Sequence, residues 1–261
     1  MSKPIRIYFA SDFHLGAYPL EDSIAREKRI VAWLTTIEAD CTELFLMGDL
    51  FDFWFEFKTV IPKGYVRFLG KIAEFVDKGI PVTLFKGNHD MWMFGYLENE
   101  IGVKVVSDDL QIERHSKTFF LHHGDGLGPG DYSYKRLKKI FRSPISQWLF
   151  ARLHPNFSFR LAQGWSKKSR LSNGPTESFL GIKKEWLYQY ASELSESQPK
   201  DFYIFGHRHL PMNLALPNGG RYINLGEWMH YDSYAVFDGE ELLLKQASNA
   251  LFPLPMIENE L

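Results

Sequence analysis

Sulfur chemistry is almost absent from this sequence. Cys41 is the only cysteine among 261 residues. An internal disulfide is therefore impossible, and a thiolate cluster for zinc or iron–sulfur is excluded. Long apolar runs are missing too: none approaches the roughly 18 residues that a membrane-spanning helix requires. Asp12 and His14 fall where a secretory signal would need its apolar stretch, so no signal peptide is expected. With 45% hydrophobic and 24% charged residues, the composition is that of an ordinary globular protein. The length suits one large domain, or one domain carrying an insertion.

Acidic residues are missing from one stretch only. Between Asp131 and Glu177 there is none, while ten basic residues run from Lys135 to Arg170. Elsewhere twenty Lys and Arg face thirty-two Asp and Glu, a balance of −12. So one-sided a cluster marks contact with something anionic. Its charges are interleaved with Phe141, Ile145, Trp148, Leu149, Phe150, Phe157, Phe159 and Trp165. A solvated face does not need such side chains, whereas a surface that meets lipid or an acylated ligand does.

Short runs rich in β-branched and aromatic residues predict strands at Ile5–Ala10, Glu43–Met47, Pro81–Phe85, Val103–Val106, Thr118–His122 and Phe202–Phe205. Later runs around Tyr222–Leu225, Tyr234–Phe237 and Leu242–Lys245 suggest a closing meander, with Asp238-Gly239 as a hairpin turn. Helical periodicity marks Ser23–Ile37, through Ile24, Ile30, Val31 and Leu34. It also marks Tyr65–Val76, through Phe68, Leu69, Ile72, Phe75 and Val76. Strands and helices alternate in the first half, which implies an α/β sheet with helices on its faces. The stretch from Tyr132 to about Glu196 reads as helical. The expected organisation is a core of residues 1–130 and 197–261 with a helical cap inserted at 131–196.

The polar motifs sit where strands end. The first strand runs into Asp12-Phe13-His14 and the second into Gly48-Asp49-Leu50-Phe51-Asp52. The third runs into Gly87-Asn88-His89-Asp90. Later ones run into His122-His123-Gly124-Asp125 and Gly206-His207-Arg208-His209. In an α/β sheet, ligands bind at the carboxyl ends of strands. Imidazole, carboxylate and amide oxygen without sulfur suit manganese, iron or zinc. Asp-x-His and His-x-His place alternate residues on one side of an extended strand end, so both can serve one site. Seven ligands exceed the needs of one ion. They suffice for two if a carboxylate bridges, and two ions roughly 4 Å apart can clamp phosphoryl oxygens and activate water.

This order of motifs resembles the calcineurin-like metallophosphoesterase superfamily. The resemblance spans residues 12 to 209 and implies a four-layer α/β/β/α sandwich with a two-metal centre. Carried over by motif, Asp12, His14, Asp49 and His209 would hold one ion. Asp49, Asn88, His123 and His207 would hold the other, with Asp49 bridging. His123 is chosen over His122 because the family's ligand directly precedes Gly-Asp. His89 would protonate the leaving oxygen or stabilise the transition state together with Asn88, and Asp52 would orient His89.

Within that superfamily the chain is similar to the UDP-2,3-diacylglucosamine pyrophosphatases of lipid A synthesis. The similarity rests on Gly48 to Trp54, on His123-Gly124-Asp125-Gly126-Leu127, on Asp131 at the group's spacing, and on the basic helical insertion after it. It implies hydrolysis of an acylated sugar nucleotide to UMP and 2,3-diacylglucosamine 1-phosphate, with the acyl chains held by the cap. It also implies two divalent ions, manganese before iron or zinc, in a cytoplasmic enzyme associated peripherally with the anionic inner-membrane surface. No nucleic-acid partner is expected, since the rest of the chain is acidic and lacks a second basic groove. Asp131, Lys167, Lys168, Ser169, Arg170 and Asn173 are the candidates for phosphate and sugar contacts. The chain departs from well-known members at His89, where they carry Arg. A generic metallophosphodiesterase or nucleotide pyrophosphatase is the alternative. It would share the metal centre but would not need an amphipathic cap.

Overall fold

Alternation along the strands sorts their side chains into separate cores, as period-2 geometry requires. In the computed structural model, Ile7 and Phe9 of β1 (Ile7–Ala10) face one apolar cluster while Tyr8 and Ala10 face another. The same split holds in β2 (Glu43–Leu46), β3 (Val82–Phe85), β6 (Lys117–His122) and β7 (Phe202–Phe205). The structure describes residues 4–129, 132–162, 164, 178–179, 181–248, 250–255 and 257.

Two sheets result. The first has the order β11-β10-β1-β2-β3-β4, with β4 at Lys104–Val106, β10 at Ser233–Phe237 and β11 at Leu242–Gln246. Strands β1 to β4 are parallel, β10 pairs antiparallel with β1, and β11 pairs antiparallel with β10. The second sheet is β5-β6-β7-β9-β8, with β5 at Leu110–Arg114, β8 at Met212–Ala215 and β9 at Arg221–Asn224. Between the sheets lies a core of Phe9, Phe45, Phe119, Phe202 and Phe237 with aliphatic neighbours. Phe9 stacks on Phe45 at 5.2 Å between ring centroids.

Helices cover both outer faces. On the first sheet lie α1 (Leu20–Ile37), α2 (Val66–Asp77) and α3 (Tyr96–Ile101). The buried stripe of α1 is Ile30, Trp33, Leu34 and Ile37. Ile24, expected on that stripe, is exposed. It stands six residues before Ile30, and at about 100° per residue that turns it to another side of the helix.

After β6 come α4 (Tyr132–Arg142), α5 (Pro144–Phe150) and a helical stretch at 155–162. A 3-10 turn at Ile182–Lys184 leads into α6 (Trp186–Ser197). Here packing departs from the expected cap boundary. Leu187, Tyr188 and Ala191 of α6 are buried with Tyr203, Phe205 and Tyr222 of the second sheet. The helix is thus the fourth layer of the core, giving helices, sheet, sheet and helix in succession. The expected closing meander also resolves differently. Strand β9 pairs with β7 and β8 in the second sheet, while β10 and β11 form a hairpin on the first.

Candidate metal centre

Five loops leave the carboxyl ends of β1, β2, β3, β6 and β7 and meet at one place. Backbone bonds knit the first two: Asp12 N–H donates to Gly48 O at 3.0 Å and His14 N–H to Asp49 O at 2.9 Å. Asp12, His14, Asp49 and His207 have left-handed backbones, with φ of 57°, 44°, 52° and 65°. Each such conformation costs a non-glycine residue on the order of 1–3 kcal/mol and persists only where its surroundings over-determine it. Two glycines leave room for those loops. A Cβ on Gly87 would land on the Asp49 carboxylate, and one on Gly206 on the Ser11 hydroxyl.

Buried polar side chains hold the loops from beneath. The Asp90 carboxylate accepts four backbone N–H bonds, from Asp49, Leu50, Phe51 and Gly87. It thereby ties the second loop to the third. Arg26 of α1 donates to Phe13 O and His14 O, both at 2.7 Å. Asn224 Nδ2 donates to Gly206 O at 2.6 Å.

The side chains converge in groups. Asp12, His14 and His209 form one set, and Asp49, His123 and His207 another. His14, Asp49 and His89 form a third that joins them. His14 Nε2 and His209 Nε2 are 3.1 Å apart, and His209 Nε2 is 3.3 Å from Asp12 Oδ1. His123 Nε2 lies 3.3 Å from both Asp49 Oδ2 and Asn88 Oδ1. All seven residues expected as ligands are therefore in one pocket. His123 Nδ1–H donates to Met47 O at 2.8 Å, which leaves Nε2 as the nitrogen that could take a cation. His122 stays out of the groups and accepts the Gly124 N–H through Nδ1 at 2.7 Å. Asp12 Oδ1 is buried with no hydrogen-bond partner. An orphaned carboxylate oxygen between two imidazole nitrogens, in a set without sulfur, fits a divalent cation.

Residues 5–211 match the calcineurin-like phosphoesterase family. The chain belongs to that family. It is 42% identical over 253 residues to a UDP-2,3-diacylglucosamine hydrolase from Porphyromonas gingivalis, covering 92% of this chain and 97% of the relative. A protein of the same name from Shewanella piezotolerans is 24% identical, over 96% and 99% of the two chains. Among solved structures, a dimetal phosphatase from Danio rerio is 14% identical with a TM-score of 0.44, over 94% of this chain and 100% of that one. This calcineurin-like phosphoesterase is a metal-dependent hydrolase, and its pocket is built for divalent ions.

The phosphoesterase pocket is strongly polarised. Burial alone would raise the Asp12 carboxyl, but the adjacent imidazoles of His14 and His209 outweigh it and hold it well below the usual carboxylate range. For Asp49 burial is likewise overcome, by the charges of His123 and His89, and its carboxyl is held far down. Burial works against His14, yet the carboxylates of Asp12 and Asp52, each 3.7 Å away, lift it to about 9. The Asp49 charge lifts His123 to about 10 against the same penalty. Burial pulls His207 down to about 4. A site where two carboxylates hold protonated imidazoles is one where a cation can replace protons.

Access is uneven. Asp12, His14, Asp49 and His123 are closed off, whereas the side chains of His89 and His209 are 20% and 26% exposed. His89 Nδ1–H donates to the Asp52 backbone carbonyl at 3.0 Å, and the Asp52 carboxylate lies 3.7 Å from Nδ1 of both His89 and His14. Asp131, Lys167, Lys168, Ser169, Arg170 and Asn173, the expected phosphate and sugar contacts, lie outside the described residues. Sequence reasoning missed the braces Arg26 and Asp90. Arg26 had a readable signal: it stands four residues before Ile30, in line with the apolar stripe of α1, where a charge needs buried partners.

Proposed function

We propose that this phosphoesterase hydrolyses the diphosphate of UDP-2,3-diacylglucosamine, yielding UMP and 2,3-diacylglucosamine 1-phosphate. The observation that carries this reading is an aromatic wall beside the metal pocket. Phe53, one residue after Asp52, and Met91 and Trp92, just after Asp90, are buried with Phe55. Phe141, Phe150 and Phe159 of the insertion pack against them. Such a wall suits acyl chains, and the names of the relatives at 42% and 24% identity support the same substrate.

Two divalent ions, manganese in our reading, would be held by Asp12, His14, Asp49 and His209 and by Asp49, Asn88, His123 and His207. Ions so held would supply Lewis acidity toward phosphoryl oxygens and would make water a stronger nucleophile. The chain's own groups do the rest. Asn88 and His89 at the mouth stabilise charge that develops on phosphoryl oxygens. Asp52 fixes the His89 ring through its carbonyl, leaving Nε2 to carry a proton to the departing oxygen. The P–O–P bridge breaks, and the oxygen of water stays on the attacked phosphorus. Asp131, Lys167, Lys168, Ser169, Arg170 and Asn173 are retained as contacts to phosphate and sugar. The cap proper then runs from 131 to about 185, and α6 belongs to the core.

The outer side of the cap supports an anionic membrane surface as the working location. Ile145, Trp148, Leu149, Phe157 and Leu161 are exposed there, and the Arg152 guanidinium sits 4.8 Å over the Trp148 ring. No described helix is long and apolar enough to cross a membrane. We read the enzyme as cytoplasmic and peripherally bound at the inner membrane. Incubation with UDP-2,3-diacylglucosamine and manganese, followed by product identification, tests the assignment. UMP and the acylated sugar phosphate are expected. Faster hydrolysis of unacylated UDP-sugars would instead favour a generic nucleotide pyrophosphatase.

A further inference from the structure

Both roots of the insertion are pinned to loops that carry metal-site histidines. At the entry root the anchor is Asp125, buried two residues after His123. Its carboxylate receives Lys138 Nζ at 2.7 Å and the Tyr134 hydroxyl at 2.6 Å, both from α4. Lys138 Nζ also donates to the Asp125 carbonyl at 3.0 Å. At the exit root the anchor is Arg208, buried between His207 and His209. Its Nε and Nη2 donate to the two oxygens of Glu185 at 3.0 and 3.2 Å, and Nη2 also donates to Ser178 O at 2.7 Å. Glu185, itself buried, directly precedes α6.

The two anchors are neighbours. A Cβ on Gly124 would stand 3.0 Å from Leu187 of α6 and 3.2 Å from the His207 Cβ. One on Gly128 would stand 2.9 Å from the Trp186 carbonyl. The histidine loops and the insertion roots are thus one packed unit. A packed unit of buried, directional ion pairs does not deform by degrees, so a shift at one end is carried to the other.

We infer that Asp125 with Lys138, and Arg208 with Glu185, are positioning pairs that couple the seat of the insertion to the placement of His123, His207 and His209. The inference rests on the two-ion reading above. Its consequence is reciprocal: metal uptake steadies the insertion roots, and loosening a root weakens metal binding. Sequence reading counted Lys138 within a basic, ligand-facing cluster. Its charge is in fact spent inward, on the loop that supplies a ligand.

Hydrogen exchange on the unaltered chain, with and without manganese, tests the coupling directly. Manganese should slow exchange in α4 and in the first turn of α6 by roughly fivefold or more. Glu185→Gln and Asp125→Asn should each weaken manganese binding about tenfold, within the usual range of coupling between linked sites. Both should also shrink the metal-dependent slowing. Two bound manganese ions with unchanged exchange at both roots would overturn the coupling. So would a Glu185→Gln chain that unfolds at lower urea yet binds both ions as the native chain does. A native chain that takes up no manganese would overturn the two-ion reading beneath it.

Discussion

The floor of the metal pocket and the outer side of the insertion solve opposite problems. On the floor, charges are buried and paired. Left-handed backbones at Asp12, His14, Asp49 and His207 are fixed by Arg26, Asp90 and Asn224 beneath them. On the insertion, Ile145, Trp148 and Leu149 stand in solvent, with Arg136, Lys139 and Arg160 exposed among them. The floor spends folding energy to place ligand atoms. The insertion leaves apolar area uncovered, which is useful only if something else covers it. On the proposed reading, chemistry and substrate choice are separated in space and meet at Phe53 and Trp92, next in sequence to Asp52 and Met91.

That separation can be broken from either side. Asp49→Ala removes the carboxylate shared by two of the ligand groups. Activity should fall to background, and metal analysis should find at least one ion gone. His89→Ala should retain both ions yet lose about 10²–10⁴-fold in turnover, the usual share of a general acid. Loss of an ion with that substitution would move His89 from proton transfer to metal holding. Trp148→Glu acts on the other side. It should raise KM for the acylated substrate by about tenfold and weaken sedimentation with anionic vesicles, with no change in metal content. An equal loss on an unacylated UDP-sugar would erase the distinction between the two regions.

A smaller effect follows from protonation. In the metal-free chain His14 stays protonated up to about 9 and His123 up to about 10. Both values lie above that of an unfolded histidine. Their stabilising contribution is therefore complete below the unfolded value and disappears as pH rises through 9 to 10. An incoming ion must displace these protons. Manganese affinity measured by calorimetry should rise from pH 7 to 9, with proton release, while the metal-free urea midpoint declines. A flat affinity over that range would mean that the imidazoles are not the ligands.

Much of this architecture was legible in the residues. The strand at Phe202–Phe205 matches its expected bounds, because four large apolar residues in succession suit a strand buried on both faces. Metal-loop motifs could be read because short spacings keep ligands together locally, and every loop follows a strand. The edge strands β5 and β8 were not read. β5 has no fully buried residue and β8 only two of four, so the apolar signal is diluted. Helix α6 was assigned to the cap because its periodicity says that it packs, but not on what. The same limit hid Arg26, Asp90 and Glu185. Their partners are backbone groups or distant side chains, and pairing across 23 residues, as for Glu185 with Arg208, leaves no local pattern.

The central claim is that seven nitrogen and oxygen ligands from five loops share two ions through Asp49. Diffraction at the manganese absorption edge from crystals grown with manganese tests it most directly. Two anomalous peaks about 4 Å apart are expected, with the Asp49 carboxylate between them and His123 and His209 on opposite sides. A single peak, or peaks away from Asp49, would contradict it.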